Sequence, residues 1–585
     1  MSTILPPKRI PLGVDNFKKL VDPEYNFLFI DKTLFIQELI DNGAEVTLII
    51  RPRRWGKTLN MSMLQHFFSP TVNRESTQGI FDNLNIARIH QGAYLKYQGK
   101  FPVIFISFKD AKKNNFNSFL STTKDLIQEI CNQYSELANS EYLTESEKQN
   151  FHKLINKTAN TEELCNALRH LSILLNKHYD KKVFILIDEY DAPLNAAYGK
   201  EHFEELIYFF KGMFGAALKG NDALEKGILT GILRLSKNNM LSDLNNLELC
   251  SLMDATYSHH FGFSETEVHS LFEIKKIDIQ AKDIQDWYNG YQAGDLDNIY
   301  NPWSILNCMK YGGKLKPYWV KTGDEDLLRK CFLNAGIEIK EKLKRLLMNE
   351  PIDTIIDEYC SFDQLGNNEE ALWSLLWALG YLKTINTPVQ YDTSYQCLVK
   401  IPNYEVACTY RSIFRTFMRT LPNIYKYDSF LANLSKGNVE AFIKNLEEYM
   451  LTIPSWFDFP QESNYHTFLL GLTASLSDTH TIYSNKEMCL GRPDMLLLPK
   501  DKQNTLAIIL EFKKDESNQA HDKYEQLAVT GLQQINEKQY GAHLIQEPTI
   551  QKILKLCIVF YGKQFICKWA LEKKYNEWVE PEYSL

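Results

Sequence analysis

The chain has 585 residues, too many for one hydrophobic core, so about two to four domains are expected. An apolar share of 44% and a charged share of 24% are those of an ordinary globular protein. The net charge of −8 excludes bulk basicity as a route to nucleic acid, so any DNA or RNA contact must come from local basic patches.

The opening Met1–Gly13 carries prolines where a signal peptide needs an apolar run. The longest apolar stretch, near Leu372 to Leu382, is too short to span a bilayer. The eleven cysteines are scattered singly with no CxxC pair, which argues against a zinc ribbon and fits a reducing compartment. The expectation is a cytoplasmic protein with no membrane partner. Up to about residue 235, short apolar runs alternate with helical stretches such as Thr58–Phe68 and Glu162–Leu175. The runs Val46–Ile50, Val103–Phe108, Val183–Ile187 and Gly227–Ile232 read as buried parallel strands of an α/β layer.

The first strand runs into Arg51-Pro-Arg-Arg54-Trp55-Gly56-Lys57-Thr58, which opens a helix. This is the P-loop arrangement, in which backbone N–H groups and a helix N-terminus face phosphates. Arg54, Trp55 and Gly56 form the loop, Lys57 would reach the β/γ oxygens of ATP, and Thr58 would ligate Mg²⁺. Arg51 stands where the usual leading glycine would be. The apolar strand Val183–Ile187 then ends in Asp188 and Glu189. Asp188 would hold Mg²⁺ and Glu189 would act as general base on the attacking water. Each segment alone could be an ordinary turn or strand end, but their order favours a nucleotide site. Thr230 could sense the γ-phosphate and Arg234 could stabilise transition-state charge. Equally, Thr230 could be plain strand and Arg234 a solvated loop cation.

From about 250 to 360 a small helical lid is expected. Ser264-Glu-Thr-Glu267 is a capping box, and Asn301-Pro302 reads as an N-cap with proline at the first helical position. Residues 361–455 read as a mostly helical middle region, winged-helix-like or simply packing, with a hairpin around Tyr391–Ile401 and a buried helix at Ala371–Tyr381. From 456 to 585 a second, smaller α/β domain is expected. It would comprise helix Glu462–Leu476, strands Met495–Leu498 and Leu506–Phe512, helix Tyr524–Glu537 and strand Leu554–Tyr561.

In that last segment Glu511 follows Asp494 by 17 residues, and Lys513 follows Glu511 by 2. A hairpin would bring Asp494 to Glu511, with Lys513 on the same strand face as Glu511 and Phe512 on the other. Two hard carboxylates at one point attract Mg²⁺ or Mn²⁺, and Lys513 would orient or help deprotonate water. The ordinary alternative is a polar strand edge with a salt bridge. Glu462 could add a metal ligand or merely suit a helix N-terminus. Glu487 and His466 read more simply as solvated or packing residues, and Gln534 and Tyr540 as substrate contacts or helix packing.

These segments together resemble a bacterial family with an N-terminal AAA-ATPase-like domain and a C-terminal PD-(D/E)XK nuclease domain. The resemblance rests on Pro11–Phe17, Asp31-Lys-Thr33, Arg51–Thr58, Ile187–Asp191, Thr230–Arg234, Phe261–Val268, Trp287–Tyr291, Tyr300–Ser304, Gly491–Asp494, Glu511–Lys513 and Gln534-Ile535. It implies that arginine at position 51 is a habit of the family, that the nuclease core is three-layered, and that its metal ligands map to Asp494 and Glu511. Asn289 departs from an aspartate often seen in the family. The architecture suggests defence against foreign nucleic acid or service to mobile elements. Three functions are weighed: an ATP-gated, Mg²⁺- or Mn²⁺-dependent nuclease acting on DNA, a signalling-type ATPase switch whose C-terminal domain binds nucleic acid without cutting, and a plain binding scaffold with both sites vestigial, against which the intact Lys57, Asp188, Glu189, Asp494, Glu511 and Lys513 argue. A homo-oligomer is compatible with the first two.

Overall fold

Two separate sets of apolar runs nucleate two sheets, and the chain accordingly packs as two compact units, Met1–Val320 with Asp353–Val406, and Lys321–Ile352 with Ala407–Leu585. The computed structural model describes residues 8–233, 241, 244–319, 336–358, 368–386, 388–391, 394–420, 424–452, 475–477, 479–483, 493–501, 503–514, 521–538, 540–541, 544, 547–561, 564–574 and 582–583. The sequence candidates Arg234, Glu462, His466 and Glu487 lie outside these residues.

In the first unit five parallel strands lie in the order Val103–Ser107, Val183–Asp188, Leu224–Gly231, Val46–Ile50, Leu247–Cys250. The strands Val46–Ile50 and Val183–Asp188 are buried at every position, which is why they read as continuous apolar runs. The Leu224–Gly231 strand lies between them, and because all three run parallel, their carboxyl ends, with Asp188, Thr230 and the loop leading to Lys57, share one edge of the sheet. Ligands bind outside the carboxyl ends of strands in such sheets, near where the strand order reverses. The fifth strand, Leu247–Cys250, gave no signal in the sequence: it has four residues on a sheet edge and only Cys250 is fully buried.

The capping box at Ser264–Glu267 and the Asn301 cap with Pro302 both form, on helices Glu265–Lys275 and Pro302–Lys310. With helix Ala281–Tyr288 they enclose a small core of Val268, Leu271, Ile284, Tyr288, Ile305 and Met309. The expectation of a helical lid from about 250 to 360 is corrected in that strands also form there. A hairpin pairs Tyr291–Ala293 with Leu296–Ile299, and Ile352–Asp357 joins a four-stranded sheet with Lys383–Thr384, Val389–Tyr391 and Ser394–Lys400. The alternating burial along Ile352–Asp357 is that of a half-buried strand, a pattern too short to stand out beside the helices. The apolar run around Leu372 is a helix, Glu369–Ala378, buried at every position from Ala371 on.

The second unit holds a six-stranded mixed sheet in the order His480–Tyr483, Met495–Pro499, Leu506–Lys514, Lys552–Tyr561, Gln564–Lys573, Glu582–Tyr583. Leu506–Lys514 and Lys552–Tyr561 run parallel, and helix His521–Glu537 makes the crossover that a parallel pair needs. Leu506, Ile508, Leu510 and Phe512 pack on one face against residues of helices Ile424–Lys436 and Val439–Thr452. Ala507 and Ile509 pack on the other face with Tyr524, Ala528, Leu532 and Ile535 of the crossover helix. The result is three layers, helix–sheet–helix. Three of the strands, His480–Tyr483, Gln564–Lys573 and Glu582–Tyr583, are additional to the sequence expectation.

Candidate active sites

Gly56 caps helix Lys57–Phe68 in the left-handed region at φ 84°, a conformation that glycine adopts without a Cβ penalty. That turn aims the helix N-terminus across the end of the Val46–Ile50 strand. Lys57 is buried, and its ammonium donates to the carbonyls of Arg51 and Pro52, each at 2.9 Å. Burial lowers its pKa, while Glu189, Asp191 and Asp188 pull the other way.

Asp188 is fully buried at the end of its strand, and three hydroxyls from three elements converge on it. Thr58 Oγ1 donates to Oδ2 at 2.9 Å, Ser107 Oγ to the same oxygen at 3.1 Å, and Thr230 Oγ1 to Oδ1 at 2.7 Å. Burial pushes the Asp188 carboxyl above the ordinary aspartate range, and the Thr230 hydroxyl pulls it back. Glu189 follows at φ 49° and is partly exposed. Thus Lys57, Thr58, Asp188 and Thr230, distant in sequence, are brought together. A Mg²⁺–nucleotide fits this donor set, because Thr58 and Asp188 are hard oxygen ligands beside a helix N-terminus.

The loop's remaining residues face elsewhere. Arg51 is fully buried and its guanidinium donates to the carbonyls of Ile50, Cys250, Ser251 and Thr256 at 2.7–3.2 Å, over the ring of Phe261 at 5.2 Å. Burial lowers its pKa to about 10. Trp55 is buried with its ring edge-on to Tyr291 at 5.3 Å. Arg54 lies at φ 66° with its guanidinium 4.4 Å from the Trp303 ring centre. Ser107 is a site residue that the sequence reading missed; its one signal is a hydroxyl at the end of an apolar strand.

In the second unit, antiparallel pairing of Met495 with Leu510 places Asp494 at the level of Glu511. Asp494 Oδ2 accepts the Phe512 amide at 2.7 Å, which fixes the carboxylate between the two strands. Lys513 Nζ donates to Glu511 Oε1 and to Gln534 Oε1, each at 2.9 Å, and Gln534 Nε2 reaches the Tyr540 hydroxyl at 3.3 Å. Gln534 therefore orients the lysine, and the buried Tyr540 orients Gln534. Burial pushes both Asp494 and Glu511 above the ordinary carboxylate range, and the neighbouring Asp494 raises Glu511 further while Lys513 opposes. Burial works against the Lys513 ammonium, yet the Glu511 carboxylate outweighs it and holds its pKa high. Glu511 is 3% exposed, and its Oε2 has no hydrogen-bond partner among the described residues. A buried carboxylate oxygen left bare is costly, and a divalent cation is the partner that fits it beside a second carboxylate. Among the described residues no group of three or more His, Cys, Asp or Glu forms a fuller ligand set. No helix among them is long and apolar enough to cross a membrane.

Comparison with known proteins finds a family match in each half of the chain. Residues 11–241 match the family described as "Predicted AAA-ATPase", and residues 460–570 match the "PD-(D/E)XK nuclease superfamily". The chain is also similar to the "Uncharacterized protein in vnfD 5'region" of Azotobacter chroococcum mcd 1. The two are 26% identical over 554 residues, covering 90% of this chain and 93% of that protein. The protein thus joins an AAA-ATPase-like region at residues 11–241 to a PD-(D/E)XK nuclease-superfamily domain at residues 460–570.

Proposed function

We propose that this protein hydrolyses ATP at the Lys57–Asp188 site and cleaves phosphodiesters, in DNA, at the Asp494–Glu511–Lys513 site under ATPase control. The observation that carries the cleavage reading is the bare, buried Glu511 oxygen beside Asp494 and a lysine. A divalent cation held by Asp494 and Glu511 would supply Lewis acidity to the scissile phosphate and to the attacking water. Lys513, oriented by Gln534, steadies the negative charge that develops on the phosphate oxygens. Its raised pKa keeps it a cation at neutral pH, so it acts by charge and hydrogen bonding. At the other site Lys57 neutralises the β/γ oxygens and Glu189 takes the proton of the attacking water. Asp188 and Thr58 would hold the Mg²⁺ that accompanies the nucleotide.

The test uses purified full-length protein and DNA with Mg²⁺ or Mn²⁺, with and without ATP. Asp494→Ala and Lys513→Ala are expected to abolish cleavage while leaving ATP turnover intact. Lys57→Ala and Glu189→Gln are expected to lower ATP turnover by about a hundredfold or more. Equal cutting by wild type and both nuclease-site variants would mean the activity belongs to a contaminant, and the cleavage reading would fall.

A further inference from the structure

Three residues beyond Asp188, a second buried carboxylate does work that the ATP reading leaves unexplained. Asp191 is 1% exposed. Its Oδ2 accepts the backbone amides of Ile232 and Leu233, both at 3.0 Å, and the Asn195 side-chain amide at 3.1 Å. Those two amides belong to the residues that leave the Leu224–Gly231 strand just after Thr230. Tyr190 fastens the same segment from the neighbouring position. Its amide donates to the Thr230 carbonyl at 3.1 Å and its hydroxyl to the Leu233 carbonyl. The contact is tight: a Cβ at Gly231 would come within 2.5 Å of the Tyr190 ring and 3.0 Å of Asp191 Oδ1.

The consequence is geometric. Thr230 reaches Asp188 across strands, at 2.7 Å. On one side its strand end is paired to Val46–Ile50 through Thr230 and Gly231, but on the Asp188 side the pairing stops at Ile187 and Leu229, and beyond that point the Tyr190–Asp191 clamp takes over. We infer that Asp191 is a positioning residue for ATP turnover: by binding the Ile232 and Leu233 amides it holds the strand end so that Thr230 stays on Asp188. This rests on the ATP reading proposed above. A carboxylate satisfying two adjacent backbone amides is a strong, charge-assisted tie. Because its hydrogen bonds run to the end of the Thr230 strand and none runs to Lys57 or Thr58, Asp191 is expected to affect the rate of the chemical step more than nucleotide affinity.

The variants Asp191→Ala and Asp191→Asn separate the clamp from its charge. Asparagine keeps an oxygen for the two amides and for the Asn195 side-chain amide while removing the charge. The expected result is a fall in kcat of about tenfold or more for Asp191→Ala, with KM for ATP within about threefold of wild type. Asp191→Asn should stay within about threefold in both. Amide hydrogen exchange, read on the full chain without nucleotide, should find Ile232 and Leu233 protected in wild type and Asp191→Asn but exposed in Asp191→Ala. If Asp191→Ala does not fold, Gly231→Ala takes its place, since the added methyl drives the same clamp apart. Wild-type kcat in the clamp-broken variant, equal loss in Asp191→Asn, or unchanged amide protection would each overturn the inference. Wild-type turnover in Lys57→Ala would instead overturn the ATP reading and the catalytic part of this one, while the exchange data would still report on the clamp.

Discussion

The two candidate sites are each built around a buried carboxylate, and they differ in how that carboxylate is satisfied. Asp188 has three hydroxyl donors from three elements, so the protein alone completes its hydrogen bonding. Glu511 has an ion pair through Oε1 and a weak pull from the Asp494 backbone amide, and its Oε2 has no hydrogen-bond partner among the described residues. A polar group that the fold satisfies stabilises the fold, whereas one it leaves bare costs stability until a ligand arrives. The first site is therefore organised ahead of its ligand, and the second depends on its ligand for stability as well as for chemistry.

The sharpest way to break this comparison is to remove the two charges and measure stability without ligand. Asp188→Ala strands the buried Thr230 hydroxyl and leaves the half-buried Thr58 and Ser107 hydroxyls to water, and is expected to cost about 1–3 kcal/mol, seen as a lower urea midpoint. Glu511→Gln should cost nothing or stabilise the metal-free protein, because it removes a buried charge. It should also erase the rise in melting temperature that Mn²⁺ gives the wild type. The sign of that metal effect with pH follows from the raised pKa values of Asp494 and Glu511. Protons compete with the cation, so Mn²⁺ stabilisation should grow as pH rises from about 5 to about 8. Equal and parallel losses in both variants would show that the two carboxylates are not different in kind.

Arg51 extends the comparison to a buried cation whose hydrogen bonds are nearly all made by the fold. Arg51→Met keeps the apolar stem over Phe261 but strands four carbonyls, and should cost about 3 kcal/mol whether or not nucleotide is present. Stability unchanged in this variant would remove the structural role of the arginine.

The smallest effect expected is at Glu405, another buried carboxylate. It accepts from Ser304 Oγ at 2.6 Å and from the Trp319 amide at 2.7 Å, and burial pushes its pKa up to about 7. A carboxyl whose folded pKa is raised contributes stability below its unfolded pKa and loses it as pH rises through the folded value. Melting temperature should thus decline as pH climbs through about 7 in wild type, and the decline should flatten in Glu405→Gln. An identical pH profile for both would show that Glu405 is not the group responsible.

Much of this was legible in the residues. Four of the five strands in the first sheet announce themselves as apolar runs, because a strand buried on both faces has no polar side to show. The Asp494–Glu511 meeting follows from a short hairpin and strand alternation, both local properties. The half-exposed edge strand Leu247–Cys250 and the short Ile352–Asp357 strand were not legible, since neither has enough buried length to impose a pattern.

By itself, then, the sequence determined which segments would be strand, loop and helix around each site, and which acids and lysines would sit at strand ends. Only the tertiary structure decided their partners. Arg51 turns to carbonyls some 200 positions away rather than toward the phosphate side, Ser107 joins Asp188 from a neighbouring strand, and Asp191 takes the amides of Ile232 and Leu233. The reason is physical. Backbone periodicity is set by neighbours a few residues apart, but a buried polar group must find whatever donor or acceptor the packed fold brings within about 3 Å, and that choice is made through space.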